Sequence, residues 1–263
     1  MNAALESVRA KRLIFTITTG RSGTEYLAKV LGAFPGVRAT HEPKPTFGSA
    51  FRSVCAEPAV AREFWLAHKL PRIARTHASI YAETSHLVCK GFLESALELG
   101  LRPQLVHLVR PAREVATSLW RLGTIPGRTF GGVKYYLSPF DTRVMAPVAR
   151  ERAERFDDYQ LCYWYCLEIE ARAARYAQQF APHGVSVTRI ELAQLANSAG
   201  VEGMAHELVL DAPSPFGRLR LNALIGRKLN EKNALKRAST FDAADLDERE
   251  ADVRAALAAS HAS

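Results

Sequence analysis

The sequence is poor in the features that mark special classes of protein. No apolar run approaches the ~20 residues needed to span a bilayer. The basic start, residues 1–12, is followed only by a short apolar stretch at residues 13–17. A secretory signal needs an apolar core of about 7–15 residues, so the expectation is a cytoplasmic protein. Glycine (16) and proline (13) are too few among 263 residues for collagen-like or low-complexity sequence. The four cysteines, Cys55, Cys89, Cys162 and Cys166, are not spaced with histidines as metal ligands would be. Cys162 and Cys166 lie four apart in a helical pattern, which suits two thiols on one buried face. With 48% hydrophobic residues the chain can bury a core of ordinary size, and disorder of the whole is excluded.

Acidic residues are in deficit. Lys and Arg number 35 against 27 Asp and Glu, a net charge of +8. The excess points to an anionic partner without choosing among nucleotide, nucleic acid and membrane surface.

Strand and helix patterns alternate along the chain. β-branched apolar runs predict strands at 12–18, 36–40, 79–84, 104–109 and 185–190. Helical periodicity marks 24–33, 59–75 with an interruption at Pro71, 87–99, 111–122, 150–181 and 242–259. Residues 123–147 have no clear period, and residues 217–237 are basic. Alternation of this kind implies right-handed crossovers and an α/β fold: one domain spanning 1–263, its mainly parallel β-sheet flanked by helices on both faces.

Two segments carry chemistry. The first is Thr18-Thr19-Gly20-Arg21-Ser22-Gly23-Thr24, between the first strand and the first long helix. A loop there points backbone N–H groups and the positive helix end at an anion. Gly20 and Gly23 permit tight geometry, Arg21 adds a forked cation, and Thr19, Ser22 and Thr24 add hydroxyls. The glycines are three apart and no lysine follows the second, so this is not a nucleoside-triphosphate loop of the G-x-x-x-x-G-K-[ST] kind. An ordinary helix cap is the competing reading. The second segment runs from Val106 to Ser118, where a strand ends in Arg110, a helix opens at Pro111, and Ser118 follows eight residues after Arg110. A magnesium-dependent ATPase would want an aspartate at such a strand end. An arginine suits a phosphate bound without metal, or merely caps a strand at the surface.

Together these segments resemble the sulfotransferases that use 3′-phosphoadenosine 5′-phosphosulfate, with a P-loop-like strand–loop–helix. Arg21-Ser22-Gly23-Thr24, with Tyr26 at the aromatic position, is similar to that family's [KR]-S-G-T loop for the 5′-phosphosulfate. Arg110 with Ser118 is similar to its 3′-phosphate motif. Glu83-Thr84-Ser85-His86 resembles a strand end of the family, and Arg189-Ile190-Glu191-Leu192 resembles its R-[YI]-E-x-L strand exit. The resemblance runs in order from about Lys11 to Leu192 and weakens beyond. Gly226-Arg227-Lys228-Leu229-Asn230 lacks the glycine and nearby tryptophan of the cytosolic members' R-K-G segment. Arg227 and Lys228, in the basic segment 217–237, are the expected C-terminal contacts to the 3′-phosphate; a solvated basic face is the alternative.

The resemblance implies in-line transfer of a sulfuryl group to a hydroxyl of a small-molecule, glycan or lipid acceptor. Arg21 would stabilise the leaving group without a metal, and adenosine 3′,5′-bisphosphate would be the product. Two residues compete as general base: Glu42 in Thr40-His41-Glu42-Pro43, and His86 at the end of the third strand. His41 and Lys90 are alternates. Trp120, Phe130, Tyr135, Tyr136, Phe140, Tyr159, Tyr163 and Trp164 are candidates for lining the acceptor pocket or for plain core. A kinase-like phosphotransferase and a basic nucleic-acid-binding module stay open as rivals. Against the latter, aromatic residues are not interleaved with the basic run and no helix-turn-helix or zinc pattern occurs, so no nucleic-acid partner is expected. Oligomeric state is not legible.

Overall fold

The computed structural model describes residues 3–225 and 242–261. Contact density divides the chain into two compact units. The first takes the chain as far as Arg110 and resumes at Tyr176; the second takes Pro111–Arg175 and the C-terminal helix.

The first unit is an α/β layer structure on a five-stranded sheet, β1 (Arg12–Ile17), β2 (Val37–His41), β3 (Ile80–Thr84), β4 (Gln104–Val109) and β5 (Val187–Glu191). The spatial order is β2-β3-β1-β4-β5 and every pairing is parallel. A parallel sheet needs both faces covered, and β1, buried after its first residue, shows how that is done. Ile14, with Ala82, Val106, Leu108 and Ile190, faces Leu27, Val30 and Leu31 of α2 (Thr24–Leu31). Val201 and Met204 of α11 (Ser198–Glu207) and Leu221 of α12 (Pro215–Leu224) complete that core. On the opposite face Phe15 meets Trp65 edge-on at 5.6 Å, and Phe47 packs on Phe64, Trp65 and Phe92. α1 (Ala3–Arg9), α3 (Phe51–Ala56) and α6 (Leu93–Glu98) are the remaining helices here.

Two helix expectations are corrected in this unit. Residues 59–75 are not interrupted at Pro71. α4 (Ala59–Phe64) passes through a π turn, Trp65–Lys69, into α5 (Leu70–Ala74), with Leu70 N–H donating to Trp65 C=O. Proline conflicts with the carbonyl four residues back, and a wider turn ahead of Pro71 relieves that conflict without ending the helix. Residues 87–99 are helical only from Leu93. Before it Gly91 takes a left-handed φ of 100°, and the Ser85 hydroxyl accepts the Leu87 N–H at 3.1 Å.

The second unit is helical, with α7 (Ala112–Arg121), α8 (Phe130–Tyr135), α9 (Arg150–Ala153), α10 (Asp158–Phe180, through Arg175) and α13 (Ala243–His261). The helix expected over 150–181 is thus two. Asp157 and Gln160 exchange side-chain-to-backbone hydrogen bonds of 2.9 Å in each direction, a capping box that restarts the helix at Asp158. α8 also lies inside the stretch expected to be irregular. Tyr159, Tyr163 and Trp164 are buried core residues rather than pocket lining, with the Trp164 indole N–H donating to the Ala146 carbonyl at 3.0 Å. Cys162 and Cys166 are buried, their thiols facing the Thr124 and Ala112 carbonyls. Among the described residues no helix is long and apolar enough to cross a membrane.

Candidate functional site

In an open parallel sheet, ligands bind beyond the carboxyl ends of the strands, where successive connections diverge. Here the chain leaves β1 toward β2 and β3 on one side and leaves β4 toward β5 on the other, so the divergence lies between β1 and β4. Residues 18–23 follow β1, and Arg110 follows β4. His41 and Glu42 close β2, Ser85 and His86 follow β3, and Glu191 and Leu192 close β5. These residues therefore gather at the carboxyl ends of the strands of one sheet.

The loop after β1 is held from within. The Thr18 hydroxyl donates to the Leu108 carbonyl at 2.7 Å, tying the loop to β4. The Ser22 hydroxyl donates to the Thr19 carbonyl at 2.9 Å and also meets the Thr19 hydroxyl. Ser22 is fully buried, so it shapes the loop rather than projecting from it, and Gly20 is buried too. Arg21 adopts a left-handed φ of 70° and Gly23 one of 85°, a conformation that costs an L side chain roughly 1–2 kcal/mol. At Gly23 there is also no room. A Cβ would lie 2.7 Å from Leu192 Cδ1, so the leucine after β5 seats the loop against the start of α2 at Thr24. Arg110 reaches into the same loop, its Nη1 donating to the Arg21 carbonyl at 3.0 Å. Two guanidinium-bearing residues and the N–H groups opening α2 thus adjoin at the switch point, a combination suited to a polyanion.

The second cluster sits at the ends of β2 and β3. Glu42 is another non-glycine residue at positive φ, 42°, and its backbone N–H donates to the Thr84 carbonyl at 3.3 Å. Its carboxylate accepts from the Ser85 hydroxyl at 3.4 Å and lies 3.7 Å from His86 Nε2. On the other side of the ring, Lys90 Nζ is 3.0 Å from His86 Nδ1. An ammonium can only donate, so Nδ1 accepts and the proton of the neutral ring is on Nε2, facing Glu42. Burial, the Lys90 charge and His41 together hold the His86 pKa well below 6.5. His41 turns its Nδ1 to the Thr84 carbonyl at 2.9 Å. Beneath lies a fully buried ion pair, Lys69 Nζ to Glu83 Oε1 at 2.5 Å, with the Tyr81 hydroxyl donating to Glu83 Oε2 at 2.8 Å. Burial pushes Lys69 down and Glu83 up.

Other candidates fall elsewhere. Tyr26 is buried in the core under α2, and its hydroxyl donates to the Leu195 carbonyl at 2.7 Å. Ser118 lies on α7 in the second unit. Arg227 and Lys228 lie outside the described residues. In the described part of the basic segment, Arg218 bonds the Pro213 carbonyl and Arg220 the Gly32 carbonyl. Sequence reasoning missed Lys69 as the partner of Glu83. Fourteen residues separate them, and the only signal was an unexplained lysine ahead of a helical proline.

No family profile and no curated protein matches the chain. Among solved structures it is similar to the sulfotransferase domain from the curacin biosynthetic pathway, with 11% identity and a TM-score of 0.48 over 95% of this chain and 98% of that one. It is also similar to sulfotransferase STF1 from Mycobacterium tuberculosis H37Rv, with 14% identity and a TM-score of 0.49 over 94% of this chain and 78% of that one.

Proposed function

We propose that this chain is a sulfotransferase that takes 3′-phosphoadenosine 5′-phosphosulfate as donor and a hydroxyl compound as acceptor. The observation that carries the reading is the junction of Arg110 with the Arg21 carbonyl at the β1/β4 switch point. It joins the two sequence segments that resemble the family's 5′- and 3′-phosphate motifs. The residues fit a phosphosulfate chemically: a tight loop seated by Leu192, hydroxyls that close it, and arginines in place of a lysine–magnesium pair. The donor supplies an activated sulfuryl group. Transfer of this kind has a loose, in-line transition state, so the protein mainly positions groups and stabilises charge. Arg21 offsets the charge that develops on the bridging oxygen.

Glu42 is the general base in this reading. The tautomer that Lys90 imposes leaves His86 Nε2 as a donor, whereas the Glu42 carboxylate is partly exposed at the strand end and can accept a proton. Neutral His86 and Ser85 then orient that carboxylate. The acceptor proton passes to Glu42 as the acceptor oxygen bonds to sulfur, and adenosine 3′,5′-bisphosphate leaves.

Thermal unfolding without magnesium tests the proposal, comparing adenosine 3′,5′-bisphosphate with AMP and ATP. A ligand at 100 times its Kd adds about 2.7 kcal/mol to the folded state. Stabilisation by the bisphosphate but not AMP, lost in Arg110→Ala, is the expected result. Stabilisation only by ATP with magnesium would favour phosphotransfer, and salt-dependent nucleic-acid affinity with no nucleotide effect would favour a binding module.

A further inference from the structure

The helical face over β2 and β3 holds a cavity of about 360 Å³, whose lining includes Arg38, Thr40, His68, Arg72, Arg75 and Tyr81. Their convergence follows from register. Arg38 and Thr40 alternate onto one face of β2, and pairing of Arg38 with Tyr81 and of Thr40 with Glu83 puts all four on the same side of the sheet. His68 comes from the π turn, Arg72 from α5 and Arg75 from its C-cap. Among the described residues Arg38, Arg72 and Arg75 make no ion pair and no hydrogen bond. By contrast Arg9, Arg113, Arg128 and Arg172 each have a carboxylate. Glu83, the acid beneath this face, is fully buried and hydrogen-bonded to Lys69 and Tyr81; the Arg72 charge reaches it only at longer range.

Three like charges around one small cavity repel each other, and forked guanidinium donors beside hydroxyls match the oxygens of a carboxylate, sulfate or phosphate. The volume suits one compact group of a small ligand rather than a polymer. Pro45, from the segment that leaves Glu42, forms part of the wall. Arg38 and Thr40 lie on β2, and Glu42 follows the strand directly, so the pocket and the carboxylate are served by one continuous stretch of chain.

We propose that this pocket is an oxyanion subsite for the acceptor: it holds an anionic group of the molecule whose hydroxyl Glu42 deprotonates. The acceptor class is therefore a hydroxy acid, or a hydroxyl compound already bearing a phosphate or sulfate. The assignment to the acceptor rests on the sulfotransfer reading; the anion pocket itself does not.

The test uses the full chain with Arg38→Gln plus Arg75→Gln, two exposed positions, with thermal unfolding as the folding control. Pyrophosphate is titrated calorimetrically in saturating adenosine 3′,5′-bisphosphate. Its affinity is expected to fall about tenfold or more in the double variant. Equal affinity in both proteins, or no binding to either, overturns the pocket. Sulfuryl transfer to ω-hydroxydodecanoate is then compared with transfer to dodecanol. A lower KM for the acid in the wild type, lost in the double variant, is expected. Pyrophosphate binding that depends on the arginines while the two acceptors behave alike overturns the acceptor assignment and leaves a free-anion site. If bisphosphate fails to bind while pyrophosphate still depends on the arginines, the sulfotransfer reading falls, and the acceptor assignment with it.

Discussion

Replacing Lys69 by methionine isolates the buried charge pair beneath the candidate site. Both side chains are fully buried, and Glu83 Oε1 lies 2.5 Å from the ammonium. Without it, Glu83 keeps the Tyr81 hydroxyl and the more distant Arg72 charge, and breaking a buried pair of this kind costs about 3–5 kcal/mol at neutral pH. The carboxyl can escape by taking a proton, because burial already pushes its pKa upward. For an acid whose folded pKa lies above the unfolded value of about 4.3, the unfolded state binds fewer protons, so stability falls as pH rises between the two values. The destabilisation of Lys69→Met should therefore be largest at about pH 7 and shrink toward about pH 5. Adding Glu83→Gln removes the charge, keeps an acceptor for Tyr81, and should recover most of the loss with little pH dependence. Urea unfolding of the wild type and the single and double variants at both pH values measures this. A loss below about 1 kcal/mol, or one that grows on acidification, would refute the burial argument.

Gly23→Ala combines a left-handed backbone with a Cβ set against Leu192, and should cost about 2–4 kcal/mol in urea unfolding. Leu192→Ala in the same chain should return the steric share, seen as a coupling energy in a double-mutant cycle. His86 gives a second pH signature. Its folded pKa is held well below 6.5, so the unfolded state binds more protons and stability drops as pH falls below about 6.5. His86→Gln should flatten that part of the stability–pH curve, and an unchanged slope would contradict the neutral-ring assignment. Glu42→Gln should lower kcat by about 10²–10⁴-fold while bisphosphate affinity holds; retention of most of kcat would move the base elsewhere.

Much of the architecture was legible locally. Five strands of β-branched residues alternating with helices specify a parallel α/β sheet, because period and crossover handedness are properties of short segments. Two helices depart from this local pattern. The Asp157–Gln160 capping box is a sequence signature that splits the long helix. The π turn at Trp65–Lys69 let a helix run past Pro71, which proline's local rules do not anticipate.

For the site, sequence alone determined the residue types: glycines three apart beside an arginine after one strand, an arginine after another, and a glutamate and a histidine at two more strand ends. Which strands neighbour each other was decided only by the tertiary structure. The order β2-β3-β1-β4-β5 brings Arg110 to the Arg21 carbonyl and His86 to Glu42. The same is true of Lys90 choosing the His86 tautomer, Leu192 closing over Gly23, and unpaired arginines gathering around one cavity. The physical reason is range. Periodicity and turn chemistry act over a few residues, whereas charge, tautomer and close packing depend on side chains that approach only once the sheet has ordered its strands.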